Sequence, residues 1–247
     1  MRRELRRMSQ LELAQRAGTT QRHVSFMERG RSAPGRAMVV RLAEALQLPL
    51  RERNDLLQTA GYASVYRASS LADPGLAPVR SALEHVLRGH LPYPAVVVDR
   101  FGELVAANDA LDVLTESVPT ELLAPPVNVY RLALHPRGMA GRIGNFDQWS
   151  FHVVDRLQQE LLRNPSERLA RLHEELAGYV GERVVPADHL GFAVPVRLRT
   201  KRGELRLMTT ITTFATAVDV TVAELKLEAF LPADEATATA LREWPRD

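Results

Sequence analysis

The sequence predicts a small all-α head followed by a larger α+β domain. Short helical segments punctuated by glycine and proline fill residues 1–66, and the strand-like segments lie after residue 91. Charge divides at the same place: residues 1–66 hold twelve arginines and six acids, whereas residues 67–247 hold twenty basic and twenty-four acidic residues. We therefore expect domains at 1–66 and 91–247, joined by a connector and linking helix at 67–90.

Composition excludes several classes of protein. The chain has 247 residues and 45% hydrophobic content, enough for two cores, and it lacks cysteine, which excludes disulfides and thiolate metal sites. No apolar run approaches the roughly 18 residues of a membrane span. The arginine-rich start has no apolar stretch of the kind found in secretory signals. We expect a cytoplasmic protein without a membrane partner.

Residues 9–31 predict two short helices that meet at a tight turn. Ser9 is a good N-cap and Glu12 completes a capping box, so the first helix is expected at about 10–17. Ala14 must be small because the helices cross there. Gly18 stands where a left-handed residue usually ends a helix, which costs a residue with a side chain roughly 1 kcal/mol or more.

The second of these helices is expected to begin after Thr19 or Thr20 and to continue to about Arg29. Val24 and Met27 are three residues apart, so they form its buried side. The opposite face carries polar groups suited to the major groove, where Gln pairs with adenine and Arg with guanine. The residues predicted to contact DNA are Gln10, Thr19, Thr20, Gln21, Arg22, Ser25, Phe26, Arg29 and Arg31.

Two more helices are expected at 37–46 and 51–61, the second stopped by Gly61, which gives five in all. The residues predicted to face the core from the first of these two are Met38, Leu42, Ala45 and Leu46. Only eight residues precede Ser9, so the first helix of the head is expected to be short. Whether a segment upstream of residue 1 completes it is left open.

The stretch 9–31 resembles the helix-turn-helix of the phage-repressor (lambda-repressor-like) and Xre family. The resemblance implies a five-helix head in which Gln10 holds a phosphate or a base edge. It also implies that Thr20, Gln21 and Arg22 read the bases of a double-stranded DNA operator.

The same resemblance pairs an arginine of the first helix, here Arg3, with the acid of the Glu-x-Gly ending, here Glu28. Phe26 departs from the polar residue that some relatives place there, so contact with a thymine methyl and simple packing both stay open. The alternative for the whole unit is a helical hairpin that binds no DNA. The basic excess of the head favours DNA.

The second domain is predicted to mix helices with antiparallel strands. After a punctuated connector, 62–78, a helix is expected over 78–87 and ends at Gly89. The further predictions are a strand pair within 92–108 that turns at 100–103, a helix at 109–115, a mostly helical region at 119–180, and strands at 193–198, 203–214 and 224–231. This order is that of an α+β domain with an antiparallel sheet.

The strand pair and the helix after it resemble the opening of a PAS domain. The stretch 124–136, together with that pair and the closing strands, is similar to the MmyB-like ligand-binding domain that follows Xre-type heads in many regulators. The resemblance covers nearly the whole chain. It implies a PAS-like sensor cavity whose ligand is a hydrophobic small molecule, specifically a long-chain fatty acid.

An acyl-binding cavity requires an apolar tube and a polar anchor at its mouth. We predict Arg131 as the anchor, with Asn128 one turn before it and His135 four residues after it. A purely structural alternative is that Arg131 pairs with an acid and Asn128 caps its helix. The predicted tube walls are Trp149, Phe151, Leu157, Met208 and Phe214, although such residues are more often core than lining.

No motif for catalysis or metal binding is present. The seven histidines form no metal-binding pattern, and a catalytic triad cannot be recognised from spacing. We therefore expect no enzyme, no metal and no cofactor other than a bound fatty acid. The expected function is that of a homodimeric one-component regulator on a palindromic operator, in which ligand biases the spacing of two heads. The alternatives are a second domain that only dimerises, and an enzyme with a DNA-binding appendage.

Overall fold

The computed structural model describes residues 2–181, 194–214 and 216–245. The chain forms two compact units. Met1–Leu71 and Ala215–Ala223 form the first, which we call the head, and Ala72–Phe214 and Glu224–Asp247 form the second, which we call the sensor unit. A segment that the sequence places between two strands of the sensor unit therefore belongs to the head.

The head contains the five predicted helices. They are α1 (Arg2–Leu5), α2 (Gln10–Arg16), α3 (Gln21–Glu28), α4 (Arg36–Ala45) and α5 (Leu50–Thr59). Between α2 and α3 the chain turns at Gly18, whose φ is +61°, as predicted. The hydroxyl of Ser9 accepts the Glu12 N–H at 3.0 Å, while the Glu12 carboxylate binds Arg16. Half of the predicted capping box is thus present.

Small and branched apolar side chains pack where α2, α3 and α4 meet. Ala14 and Val24 are each 1% exposed, and Met27 packs against the same cluster, as predicted. The predicted face of α4 is partly wrong. Val39 and Ala43 form its buried centre, whereas Met38 and Leu42 are only half-buried. The reason is that the apolar stretch of α4 supports two adjacent faces, and tertiary packing chose between them.

The segment after residue 215 is fixed to the head by backbone contacts. Within it α11 (Val220–Glu224) begins where the Val220 N–H donates to the Arg67 carbonyl at 2.7 Å. The Asp219 carboxylate accepts from the Ser69 N–H at 3.1 Å. This helix was not predicted, since five residues carry too little periodicity to detect.

The sensor unit combines one sheet with six complete α-helices among its described residues. The helices assigned to it are α6 (Ala77–Gly89), α7 (Leu111–Thr115), α8 (Val129–Leu134), α9 (Phe146–Arg163), α10 (Glu167–Val180) and α12 (Glu235–Arg242), together with the last residue of α11. Short 3-10 turns occupy Pro74–Leu76, Thr120–Leu122 and Ala140–Arg142. The strands are β1 (Ala95–Val98), β2 (Leu104–Ala107), β3 (Val196–Thr200), β4 (Gly203–Thr213) and β5 (Lys226–Pro232).

The sheet is antiparallel, with strand order β2-β1-β5-β4-β3. The predicted α+β class and the order of strand pair, helices and closing strands are confirmed. Ala193, where the third strand was expected to begin, lies outside the described residues. The last strand of the chain, β5, lies between β1 and β4, so Glu228 is opposite Val96 on one side and Ile211 on the other.

Two polar residues explain the hairpin signal in the sequence. The Asp99 carboxylate accepts the N–H groups of Phe101 and Glu103, both at 2.8 Å, and so closes the turn. Asn108 is buried, accepts the Ala95 N–H and donates to the carbonyls of Leu87 and Tyr93. Each therefore satisfies backbone groups that no strand partner reaches.

Candidate DNA interface and ligand cavity

The outward face of α3 presents a group of solvent-exposed polar side chains. Thr20, Gln21 and Arg22 are exposed at its N-terminus, as are Arg29 and Arg31 just beyond its C-terminal end. The Thr20 hydroxyl also caps the helix by accepting the His23 N–H at 3.1 Å. A helix that is packed on one side and polar on the other, with free side chains at its N-terminus, has the form required to enter a major groove.

Phe26 and Ser25 are half-buried beside this face. The guanidinium carbon of Arg22 lies 5.2 Å from the centroid of the Phe26 ring, a cation–π distance. Thr19 is half-buried, with its hydroxyl 2.9 Å from His23 Nδ1. The cation–π contact favours the packing alternative for Phe26, because the ring packs against the Arg22 guanidinium.

Gln10 and Arg3 meet at Glu28, near the end of α3. Arg3 Nε donates to Glu28 at 2.7 Å, which confirms the predicted pair, and Gln10 Nε2 donates to the same carboxylate at 2.6 Å. The hydrogen bond from Arg3 holds the pKa of Glu28 below its ordinary value, although partial burial opposes this. The network fixes Gln10 at the start of α2, beside α3.

The sensor unit contains a cavity of about 290 Å³ between the sheet and the helices. Its walls are mainly aliphatic and aromatic. They are formed by Val96, Leu111, Leu114, Val129, Tyr130, Leu132, Ala133, Met139, Trp149, His152, Val153, Arg156, Val194, Val196, Leu198, Met208, Thr209, Glu228 and Phe230. A mostly apolar cavity with a few converging polar groups is the usual form of a small-molecule site.

Two of the seven residues predicted to bind ligand, Trp149 and Met208, line this cavity. Leu157 lines a neighbouring one. The others lie elsewhere: Asn128, Arg131, His135 and Phe214 are not among the lining residues, and neither is the further predicted wall Phe151.

The contacts of the predicted anchor group are structural. Asn128 caps α8 by accepting the N–H groups of Tyr130 and Arg131. Arg131 makes a two-pronged ion pair with Glu175, both bonds at 2.7 Å. His135 packs edge-on against Tyr179, ring centroids 5.1 Å apart.

Polar side chains at one end of the cavity come from three different elements. Glu228 on β5 is 4% exposed and accepts from Arg156 of α9 at 3.2 Å. The Tyr130 hydroxyl of α8 lies 3.5 Å from the same carboxylate oxygen. Burial raises the pKa of the Tyr130 phenol well above its ordinary value, and the charge of Glu228 adds to this, so the hydroxyl is a donor.

A second cavity, of about 230 Å³, continues from this polar end. It shares Tyr130 and Arg156 with the first. Its lining is Arg100, Tyr130, Arg156, Leu157, Glu160, Arg163, Ile211 and Lys226. Lys226 pairs with Glu160 at 3.2 Å and Arg100 pairs with Glu224 at 3.2 Å. Burial is the largest influence on Glu160 and opposes its ionisation, but Lys226, the Asn164 amide and Arg163 together outweigh it, so the pKa of Glu160 is lowered.

The sequence prediction missed Arg156, Glu228 and Tyr130. A signal existed for Glu228, because the alternation of Lys226, Glu228 and Phe230 puts the three on one face of β5. Arg156 follows Trp149 by seven residues, so the two share a face of α9. The sequence could not show that these faces meet.

Comparison with known families agrees with both units. Residues 1–53 match a helix-turn-helix family, and residues 79–243, more than half of the chain, match the MmyB-like transcription regulator ligand binding domain. The chain belongs to the MmyB-like transcription regulators. No curated protein matches it. Together the two matches identify this MmyB-like chain as a DNA-binding transcription regulator with a ligand-binding domain.

Two further findings concern only the described part of this MmyB-like regulator. None of its described helices is both long and apolar enough to cross a membrane. Among the same residues, no group of three or more histidine, cysteine or acidic side chains is placed to hold a metal ion. Both matched families are domains of transcription regulators.

Proposed function

We propose that this regulator is a cytoplasmic one-component sensor that binds a palindromic operator as a homodimer and responds to a long-chain fatty acid. The exposed polar face of α3 in a strongly basic head carries the DNA part of the proposal. In a two-fold dimer, two such helices enter major grooves one helical turn apart, about 34 Å. A ligand changes the affinity for DNA only to the extent that it binds the DNA-binding arrangement of the dimer and the other arrangement with different affinities.

The mainly apolar lining of the cavity supports the proposal of an acyl ligand. Trp149, Met208 and Phe230 supply wall, and Arg156 supplies a cation at the polar end. We therefore propose Arg156 as the group nearest the ligand's head. The role of Arg131 as the ligand anchor stays a prediction. Because Arg131 pairs with Glu175 and does not line the cavity, substituting it should have a different effect from substituting Arg156.

DNA binding is tested by selecting binders from a random duplex library and measuring affinity for the recovered sequence. We expect an inverted repeat and a steep fall of affinity with salt, since each phosphate contact releases counterions. A recovered site without two-fold symmetry would count against the dimer. A flat salt dependence would count against DNA binding itself.

The ligand is tested by native mass spectrometry of the purified protein and by thermal shift with C12 to C18 fatty acids. We expect Arg156→Gln to weaken fatty-acid binding and the matched variant Arg131→Gln to leave it unchanged. The reverse result would restore Arg131 as the anchor. If no lipid is recovered and no fatty acid shifts the melting temperature, the second unit acts without ligand, as a dimerisation domain.

A further inference from the structure

The polar end of the apolar cavity already contains a carboxylate. Lys226, Glu228 and Phe230 alternate on one face of β5, so they pass from the polar cavity to the apolar one in that order. Along α9, Arg156 faces both cavities. Glu228 and Arg156, 3.2 Å apart, therefore stand where the head of an acyl ligand would lie.

Arg100, Arg163 and Lys226 line the polar cavity. Among the described residues that line the apolar cavity, Arg156 is the single arginine or lysine, and it is already paired with Glu228. Arg156 and the uncharged Tyr130 hydroxyl are the partners of Glu228. From β1 and β4 the residues opposite it are Val96 and Ile211, which carry no charge. On the same strand, Lys226 is neutralised by Glu160.

Among the described residues, one other titratable group, His152, lines the cavity. It lies on α9 one turn before Arg156. Its Nε2 is buried and has no hydrogen-bond partner among the described residues. The imidazole of His152 is therefore an alternative to Glu228 as the acceptor of a proton that enters with a ligand.

We infer that a fatty acid enters this cavity together with one proton, which its carboxyl group shares with Glu228 beside Arg156. This rests on the proposed acyl ligand. Two ionised carboxylates at one arginine repel each other in a poorly solvated site, whereas an acid and a carboxylate form a hydrogen-bonded pair of charge −1 that one guanidinium balances. The proton comes from bulk water, and no covalent bond forms or breaks.

Proton uptake fixes the sign of the pH dependence. Affinity for the acid must rise as pH falls, by about tenfold per pH unit where one full proton is taken up. A fatty alcohol brings no charge, so its affinity should not change with pH. Free fatty acid would then act as a signal read jointly with intracellular pH.

The experiment is calorimetry on the full chain with dodecanoic acid and dodecan-1-ol between pH 6.5 and 8.5. For the wild type we expect the tenfold dependence for the acid, none for the alcohol, and about one proton taken up per acid when buffers of different ionisation enthalpy are compared. Glu228→Gln should abolish the dependence for the acid and strengthen its binding at pH 8.5. A cooperative thermal melt followed by tryptophan fluorescence shows that this variant is folded.

His152→Gln is the matched control and should keep the dependence. If Glu228→Gln keeps it and His152→Gln loses it, the proton belongs to His152 and the inference is overturned. If the wild type binds the acid with no pH dependence, the inference falls but the acyl-ligand proposal stands. If neither compound binds the wild type, the acyl-ligand proposal falls and takes the inference with it.

Discussion

The two units of this regulator place their polar groups differently: the head exposes them to solvent, whereas the sensor unit buries them around its cavity. In the head, Gln21 and Arg22 extend from α3 into solvent. In the sensor unit, Glu228 and Tyr130 are turned inward and satisfy each other and Arg156. A surface that reads DNA leaves its donors and acceptors unpaired until the partner supplies theirs, whereas a cavity must balance its charges before any ligand arrives.

Substitutions in the two units should therefore have different effects on stability and binding. Exposed side chains that contact DNA can be truncated with little effect on folding, because water solvates the position they leave. Groups around the cavity are part of the packing, so changes there alter stability and binding together.

Gly102→Ala should destabilise the sensor unit by about 2–5 kcal/mol. Its φ is +78°, and an added Cβ would clash with two carbons of the Tyr130 ring. Gly141→Ala is the control, because nothing lies within 4 Å of its added Cβ. Urea unfolding followed by tryptophan fluorescence isolates this unit, since both tryptophans, Trp149 and Trp244, belong to it. Equal effects of the two substitutions would disprove the close approach.

Gln21→Ala and Arg22→Ala should each cost about 1–3 kcal/mol of binding to the selected operator and relax specificity at one base pair. Melting temperatures should stay unchanged. Gln15→Ala, an exposed position on α2, serves as the control. Electrophoretic titration of the operator and its single-base variants measures the effect. Unaltered binding by both variants would show that another surface reads the DNA.

Phe26→Leu should weaken operator binding by about 0.5–1 kcal/mol, because it keeps apolar volume but removes the ring that holds Arg22. The loss should disappear in an Arg22→Ala background. A double-mutant cycle on operator affinity measures that coupling. Additive losses would mean that Phe26 contacts DNA independently, for instance through a thymine methyl.

The Glu28 network should contribute less than about 1 kcal/mol, since it is partly exposed. The pKa of Glu28 is lowered from 4.5 in the folded head, so its contribution is present above pH 4.5 and is lost as pH falls through the folded value. Hydrogen exchange of α2 and α3 amides at pH 6 and pH 4 reports it. In Glu28→Gln the difference between the two pH values should shrink, and an undiminished difference would contradict the assignment.

The fold followed closely from local patterns. Ser9, Gly18 and Thr20 act through neighbouring backbone groups, so their roles in the helix-turn-helix were visible in the sequence. The strands had clear alternation, and β3, β4 and β5 lie within a few residues of their predicted positions. The stripe on α4 and the helices α11 and α12 were missed, because their periodicity was ambiguous or too short.

The residues that line the cavity could be predicted from the sequence much less well. Arg131 looked like an anchor because it interrupts an apolar segment, yet its partner, Glu175, lies 44 residues away on another helix. Arg156 and Glu228 are 72 residues apart. No local sequence pattern predicts such an ion pair, since it depends on which faces of α9 and β5 the fold brings together.

The sequence by itself determined the class of both units, the basic head and the residues that α3 presents to solvent. Each of these depends on interactions within a few residues or on composition, which the order of amino acids states directly. Only the tertiary structure decided which polar groups meet at the cavity and that Glu228 is already balanced by Arg156. Burial and charge balance depend on distances between remote segments, and these exist only once the chain has folded.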